Sequence, residues 1–283
     1  MRENLRTLRH AAWLGWQMES NWTNPWLFAI YSVVKPISAT LILVFMYLVI
    51  WGSVLEQPEI FCYMFVGNTF YMYVAQVLFG VVFVIHEDRE HYQTLKQVYI
   101  APISFYFYIV GRAVPKIVMT TIAAIITLAF GVVFLGLPIQ LGEVDWLLLI
   151  LAMAVGLFCI CAIGIALAGV SMLTAKHSLG INEGIAGMFY LFCGVTFPIT
   201  FLPYWGQLVG LTIPITYWLE VVRRAVLPVA LQWDSGLADY ATGSIFLMLL
   251  VTSFAFLLLS LGIFRYADHI ARKKGKLDMS TTY

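Results

Sequence analysis

Six long stretches of apolar residues divide the chain, and short polar or turn-rich segments separate them. A helix that crosses a membrane needs about 20 mostly apolar residues, and these stretches approach or exceed that length. We therefore predict six transmembrane helices, which cover residues 26–52, 60–85, 105–135, 146–174, 185–201 and 240–264. The pattern is that of an all-α polytopic membrane protein whose residues 1–283 form a single transmembrane domain.

The composition narrows the functions that this pattern allows. Hydrophobic residues make up 61% of the chain and charged residues 11%, with a mean hydropathy of +0.88. Soluble domains carry about 25% charged residues, so a soluble enzyme, a nucleic-acid-binding protein and a disordered chain are excluded. Four cysteines lie inside apolar runs, where we expect core residues and no metal site. They are Cys62, Cys159, Cys161 and Cys193.

The distribution of lysine and arginine predicts the orientation in the membrane. Basic residues precede the first span and follow the last one: Arg2, Arg6, Arg9, Arg265, Arg272, Lys273, Lys274 and Lys276. Residues 53–59 and 137–145 contain neither lysine nor arginine. Because cytoplasmic segments carry the excess of basic residues, we expect both termini in the cytoplasm. An even number of spans follows, in agreement with six.

The pattern of residues 1–24 predicts an element other than a transmembrane helix. Apolar residues recur there at helical spacing, with the arginines mostly on the other face: Leu5, Leu8, Ala12 and Trp16. Such an amphipathic helix lies in the plane of the lipid headgroups, with tryptophans as anchors. It is either a simple membrane anchor or a strut that couples a cytoplasmic partner to the first span.

The cytoplasmic loop between the second and third spans begins with clustered charges and continues as a short helix, which we predict over residues 87–98. Leu95, Val98 and Tyr99 give this helix an apolar stripe, whereas the rest of its surface is charged. It can therefore lie flat and dock into a groove on a soluble partner. The candidate docking residues are Glu87, Asp88, Arg89, Glu90, Thr94, Leu95, Lys96, Val98 and Tyr99.

The segment between the fifth and sixth spans is interrupted by prolines and is too short to cross the membrane. We predict a re-entrant or interfacial hairpin over residues 203–232, on the outer side. Glu220, Arg223 and Arg224 are spaced to form i+3 and i+4 ion pairs within it. The candidate residues of this region are Pro198, Pro203, Pro214, Tyr217, Glu220 and Arg223.

The residues that are missing from the spans limit the mechanism. Ion-coupled transporters carry acidic residues or histidine near the membrane midplane, and the predicted spans contain no acidic residue well inside them. Metalloprotease and serine-hydrolase motifs are absent, as is a Gly-x-x-x-x-Gly-Lys-Ser/Thr loop for ATP. Energy for uphill transport would therefore come from another polypeptide. A stand-alone channel or secondary transporter and a membrane enzyme acting on lipid intermediates remain as alternatives.

Three stretches in the same order resemble the permeases of the ABC-type-2 export family. The first is Thr94-Leu95 followed by Ala101-Pro102-Ile103-Ser104, similar to the coupling helix and the turn after it. The second is the pair Gly111-Arg112. The third is the run Phe197-Pro198, Leu202-Pro203, Pro214-Ile215-Thr216-Tyr217, Glu220 and Arg223. One departure is Gln93-Thr94-Leu95-Lys96, where the family usually has Gly-Thr-Leu-Glu.

The resemblance implies a permease dimer, made of two identical or two different chains, bound to two ATP-binding subunits. Residues 3–20 would form the connecting helix and residues 87–98 the coupling helix. ATP and magnesium would be bound by the partner subunits, and this chain would hold no cofactor. Membrane lipids are the other expected partner, and no nucleic acid is expected. Because the chain is not fused to an ATPase, the resemblance favours a bacterial or archaeal plasma (inner) membrane.

The resemblance also implies a translocation path along the dimer interface, lined mainly by the second and fifth spans. The candidate residues on these two spans are Asn68, Met72, Gln76, Phe79, Phe189, Phe192, Val195 and Thr196. A wall rich in aromatic residues and methionine suits a hydrophobic or amphiphilic cargo, either drug-like or lipid-like. A lipid-linked polysaccharide is the alternative cargo.

Overall fold

The computed structural model describes residues 2–20, 25–52, 57–140, 142–174 and 178–274, and all regular secondary structure within them is helical. We number the helices α1 to α10. They are α1 (Arg2–Ser20), α2 (Pro25–Trp51), α3 (Pro58–His91), α4 (Leu95–Ile100), α5 (Phe105–Phe134), α6 (Trp146–Leu173), α7 (Ser178–Phe192), α8 (Tyr204–Thr212), α9 (Pro214–Val226) and α10 (Thr242–Lys273). One 3-10 turn, Ile199–Phe201, lies between α7 and α8, and another, Val229–Leu231, lies between α9 and α10.

Four of the described helices, α3, α5, α6 and α10, are long and apolar enough to cross a membrane. The protein is therefore a multi-pass membrane protein. The first predicted span lies in α2, whose described apolar part runs from Ile37 to Ile50, and the fifth overlaps the 15-residue helix α7. The count of six spans stays a prediction.

The predicted bounds of the fifth and sixth spans differ from those of the helices. Helix α7 ends at Phe192 and the chain turns at Gly194, which has φ +68°; residues 193–201 therefore do not continue the helix. Helix α10 runs beyond the predicted end at residue 264 to Lys273. It continues because Phe264, Ala267 and Ala271 remain buried on one face, although the apolar run has ended.

Helix α1 packs directly on α5 at a close crossing. A side chain at Gly111 would lie 2.7 Å from the Cβ atom of Ala11, and one at Gly15 would lie 3.1 Å from the ring of Pro115. Lys116 of α5 also forms an ion pair with Glu19 at the end of α1. The predicted amphipathic helix is therefore packed against a helix that is long enough to cross the membrane.

Helix α6 lies at the centre of the bundle, where α3, α9 and α10 pack around it. Gly156 and Gly164 of α6 allow this, because a side chain at these positions would collide with Trp218 of α9 and Val81 of α3, respectively. Small residues at helix crossings let backbones approach closely within membranes. The four cysteines, predicted as core residues, are all buried.

Candidate functional site

The predicted coupling helix over residues 87–98 is divided in the structure. Residues Glu87–His91 continue α3 as a π-helical turn, and the separate helix α4 begins only at Leu95. A second π-helical turn, Val74–Leu78, lies in the middle of α3. Such turns widen a helix locally and are frequent at functional sites. The clustered charges therefore belong to the end of a long helix, not to the surface of a short one.

Asp88 is fully buried at this end of α3 and is held by α5. Its Oδ1 atom accepts a hydrogen bond from Arg112 Nη1 at 3.2 Å, and its Oδ2 atom accepts one from the Tyr108 hydroxyl at 2.8 Å. Arg112 Nη2 also donates to Glu87 Oε2 at 2.8 Å. We call Glu87, Asp88, Tyr108 and Arg112 the ionic cluster. It joins α3 to α5, since a buried ion pair is costly to break from one side.

Arg89 and Glu90 are also turned into the protein. Arg89 Nε pairs with Glu90 Oε1 at 2.8 Å, with both side chains less than one-tenth exposed. Arg89 Nη1 donates to the backbone oxygen of Ser171 at 3.3 Å, near the end of α6. Asp88, Arg89 and Glu90 are thus internal contacts, contrary to the expectation of a charged surface facing a soluble partner.

Gln93 connects the ionic cluster to α4 and has a left-handed backbone, with φ 53°. The amide of Thr94 donates to the backbone oxygen of Asp88 at 2.8 Å, which closes this turn. Glycine adopts a positive φ without steric cost, unlike glutamine. The permeases that this chain resembles usually have glycine at the position of Gln93. The positive φ of this turn gives a physical reason for that glycine.

The surface that α4 offers to a partner differs from the predicted stripe. Leu95 is only 3% exposed and points into the protein, and Val98 and Tyr99 are half-buried. The exposed residues of α4 are Lys96, Gln97 and Ile100, with Ile100 84% exposed. The apolar stripe therefore attaches α4 to the protein, and Ile100, which sequence reasoning missed, is the apolar residue that projects outward.

A cleft of about 420 Å³ lies beside α4, between α1 and the turn that follows α4. Arg6, His10 and Leu14 line it on the α1 side, and Pro102 and Ile103 line it on the other. The exposed residues of α4 and the lining of this cleft are taken together as one surface, because Pro102 and Ile103 follow Ile100 closely along the chain. We call this surface the docking face.

The candidate path residues fall into two groups. On α3, all four are half-buried: Asn68, Met72, Gln76 and Phe79. Beyond α3, Phe189 and Thr196 are half-buried, whereas Phe192 and Val195 are buried within the chain. Phe192 packs against Trp205 with ring centroids 5.8 Å apart. Phe192 and Val195 therefore do not line an open surface of this chain.

Other residues join α3 to α7. The hydroxyl of Tyr71 donates to the backbone oxygen of Ala186, and its ring meets that of Tyr190 at 5.1 Å between centroids. A tyrosine buried in the middle of a span, where its hydroxyl needs a partner, is the signal that could have identified this contact.

Arg223 of α9 is buried and binds the irregular backbone that follows α7. Its Nη2 atom donates to the oxygens of Gly194 at 2.7 Å and Val195 at 2.8 Å, and its Nε atom donates to the oxygen of Tyr63 at 3.3 Å. The guanidinium carbon lies 3.6 Å from the ring centroid of Tyr63, a cation–π contact. The Tyr63 hydroxyl donates to Gly194 at 3.0 Å. We call Tyr63, Gly194, Val195 and Arg223 the carbonyl cluster.

The remaining predicted hairpin residues begin helices or brace them. Pro198, Pro203 and Pro214 stand immediately before or at the start of the 3-10 turn Ile199–Phe201, α8 and α9. Tyr217 donates from its hydroxyl to Leu211 at 2.7 Å. The predicted i+4 ion pair is confirmed between Glu220 and Arg224 at 2.9 Å, whereas Arg223 takes part in the carbonyl cluster. Segment 203–232 thus consists of two consecutive helices and a short turn.

Two comparisons with known proteins bear on these clusters. A family model described as ABC-2 type transporter matches residues 11–227. The matched range contains the ionic cluster, the carbonyl cluster and the docking face, except for the cleft residues that precede Ala11. Comparison with curated proteins gave no match.

Proposed function

This chain belongs to the ABC-2 type transporter family, and we propose on that premise that it is the membrane permease subunit of an ATP-driven exporter. The subunit works with a separate ATP-binding subunit, which supplies the ATP and magnesium sites. The chain itself holds no cofactor and performs no ATP hydrolysis. Its membrane is the plasma (inner) membrane of a bacterium or archaeon, with both termini in the cytoplasm.

The docking face is the observation that carries this proposal. Ile100 projects from a short helix next to a cleft, with Lys96 and Gln97 beside it. A few anchor residues ringed by contacts that exclude water carry most of the energy of an interface, and Ile100 is suited to be such an anchor. The ATP-binding subunit contacts the permease here, through α4 and α1.

The ionic cluster makes the docking face able to transmit force. The turn at Gln93 and Thr94 ties α4 to the backbone of Asp88, and Arg112 ties Asp88 to α5. Closure of the ATP-binding subunits around ATP pushes on α4 and α1. The push reaches α3 and α5 together, because the buried cluster makes them move as one unit.

The path lies between this chain and a second permease copy, either identical or different. The half-buried face of α3 with Asn68, Met72, Gln76 and Phe79 supports this proposal. On α7, Gly184 and Gly187 have open space around them, as an unpartnered helix surface does. Aromatic residues and methionine at the path suit a hydrophobic or amphiphilic cargo, with a lipid-linked polysaccharide as the alternative.

Ile100→Asp tests the docking face. We expect the affinity for the ATP-binding subunit to fall at least about thirtyfold and ATP-driven export to be lost, because a hot-spot anchor contributes about 2 kcal/mol or more. Val229→Asp is the matched control, since Val229 is also 84% exposed but belongs to a 3-10 turn that packs on residues 58–73 of α3. The measurement is co-purification of the tagged chain in mild detergent, with partners identified by mass.

Two outcomes contradict the proposal. If the wild-type chain purifies as an oligomer without an ATP-binding subunit, the energy source is absent and a channel or carrier is favoured. If Ile100→Asp retains both its partner and export, the docking face is wrongly assigned.

A further inference from the structure

Helix α10 contacts α4 through Tyr99, which is not part of the docking face. Its polar end continues to Lys273 and is held against α6, because Phe264, Ala267 and Ala271 are buried. A side chain at Gly169 of α6 would lie 3.1 Å from the backbone of Phe264. The end of α10 is therefore a packed part of the bundle and can act as a firm support.

Tyr99 of α4 contacts this support directly at Asp268 and Arg272, and indirectly through Phe105 of α5. Its hydroxyl donates to Asp268 Oδ1 at 3.0 Å. The guanidinium of Arg272 lies 5.0 Å from its ring centroid, and Arg272 also pairs with Asp268 at 3.1 Å. The ring of Tyr99 packs on Phe105 with centroids 4.5 Å apart, and Phe105 packs on Phe264 at 6.0 Å.

The hydroxyl of Tyr99 acts as a lasting donor in this arrangement. Burial raises its pKa, and the nearby Asp268 carboxylate raises it further. The proton therefore stays on the phenol throughout the physiological range, and the bond to Asp268 is a charge-assisted hydrogen bond of the stronger kind.

Helix α4 has six residues and is too short to be stable by itself. Leu95 is its one fully buried residue, and it lies at the beginning of the helix. Tyr99 fastens the other end. Without this attachment, the end that carries Ile100 would be free to fray when a partner pushes on it.

We propose that Tyr99 and Asp268 form a latch that makes α10 a second receiver of the force applied at α4. This inference rests on the proposed function. Tyr99 is a positioning residue: it faces away from the partner and determines which helices follow α4. Movement of α4 then reaches α10 through the latch, in addition to α3 and α5 through the ionic cluster, while the Tyr99 hydroxyl also lies 3.5 Å from Met172 Sδ of α6.

Amide hydrogen exchange of the full chain in lipid nanodiscs tests the latch without any partner. The amides of Val98 and Ala101, which donate to the backbone oxygens of Thr94 and Gln97, are monitored in Tyr99→Phe and Asp268→Ala. We expect the exchange rate to increase about tenfold in each single variant, because each loses a hydrogen bond to a charged group. The exchange rate in the double variant should be no higher than in the single variants. Tyr266→Phe on the same helix, where Tyr266 is exposed, is the matched control and should resemble the wild type.

Unchanged exchange of α4 in both single variants would overturn the latch, as would fully additive effects in the double variant. The second arm uses the complex with its ATP-binding subunit and adds ATP and magnesium. In the wild type, exchange should change in α4 and at residues 268–273; in Tyr99→Phe, the change should persist in α4 and disappear at residues 268–273. A persistent response at residues 268–273 would overturn the transmission step.

The two proposals fail in different ways. If no wild-type complex responds to ATP anywhere, the proposed function is wrong, while the exchange of α4 without ATP still decides whether the latch exists.

Discussion

Two arginines are buried near opposite ends of α3, and the protein satisfies them differently. Arg112 is paired with Asp88 and Glu87, so its charge is neutralised by carboxylates. Arg223 is bonded to three backbone oxygens and lies over the ring of Tyr63. Tyr63 and Asp88 are separated by about 37 Å of helix at about 1.5 Å per residue.

The difference between the partners of the two arginines corresponds to the kind of backbone found around each of them. The ionic cluster joins the π-helical end of α3 to the regular helix α5, where the backbone groups already have partners, so side-chain carboxylates are the available partners. The carbonyl cluster lies where α7 has ended and backbone oxygens lack helical partners. A planar guanidinium with several donors can satisfy them together. One cluster is suited to transmit movement between helices, and the other to stabilise an irregular segment.

Breaking the ionic cluster should have the largest effect. Arg112→Leu leaves Asp88 buried without its cation, and we expect the free energy of unfolding to fall by about 3–5 kcal/mol. The midpoint of thermal unfolding of the purified chain in detergent measures this loss. The double variant Arg112→Leu/Asp88→Leu should recover part of it. A loss under about 1 kcal/mol would show that the cluster behaves like an exposed ion pair.

Replacing each arginine by lysine sharpens the contrast. Arg223→Lys keeps the charge but has one ammonium group in place of a planar fork, so we expect a loss of about 1.5–3 kcal/mol. Arg112→Lys should lose less, because an ammonium can still pair with Asp88. The same thermal measurement compares them, with Arg265→Lys at an exposed site as control. Equal losses for Arg112→Lys and Arg223→Lys would remove the distinction between the clusters.

The smallest effect concerns the positive-φ residue beside each cluster. Gly194→Ala should lower the free energy of unfolding by about 1–2 kcal/mol. The left-handed backbone disfavours a side chain, and an added Cβ atom would lie 3.1 Å from Cγ2 of Ile199. Gln93→Gly should change stability in the other direction, by up to about 1 kcal/mol. Thermal unfolding again measures both changes. A destabilised Gln93→Gly would mean that the glutamine side chain contributes more than its backbone strain costs.

Apolar length predicted much of the fold. The third and fourth spans, predicted over 105–135 and 146–174, coincide within one residue with α5 and α6. Prediction was weaker where length and composition stop being decisive. Hydropathy placed the end of the sixth span where polar residues begin, whereas α10 continues to Lys273 because one face is still buried.

The burial of the candidate docking residues differs from what the sequence pattern predicts. The charges of residues 87–90 were expected on a surface helix and are instead part of the end of α3. Leu95 was expected in a docking stripe and is buried. A six-residue helix carries too few positions for periodicity to indicate which face is inward, so Ile100 could be recognised only from the packed structure.

The sequence by itself determined the membrane location, the helical class and the order of the elements, since these depend on apolar length and on the distribution of charge along the chain. Only the tertiary structure decided the partners of the buried charges and hydroxyls: Arg112 with Asp88, Arg223 with Gly194, and Tyr99 with Asp268. These pairs are 24 to 169 residues apart. A local pattern records that a polar group must be satisfied when it is buried, but the three-dimensional packing of distant helices decides which group satisfies it.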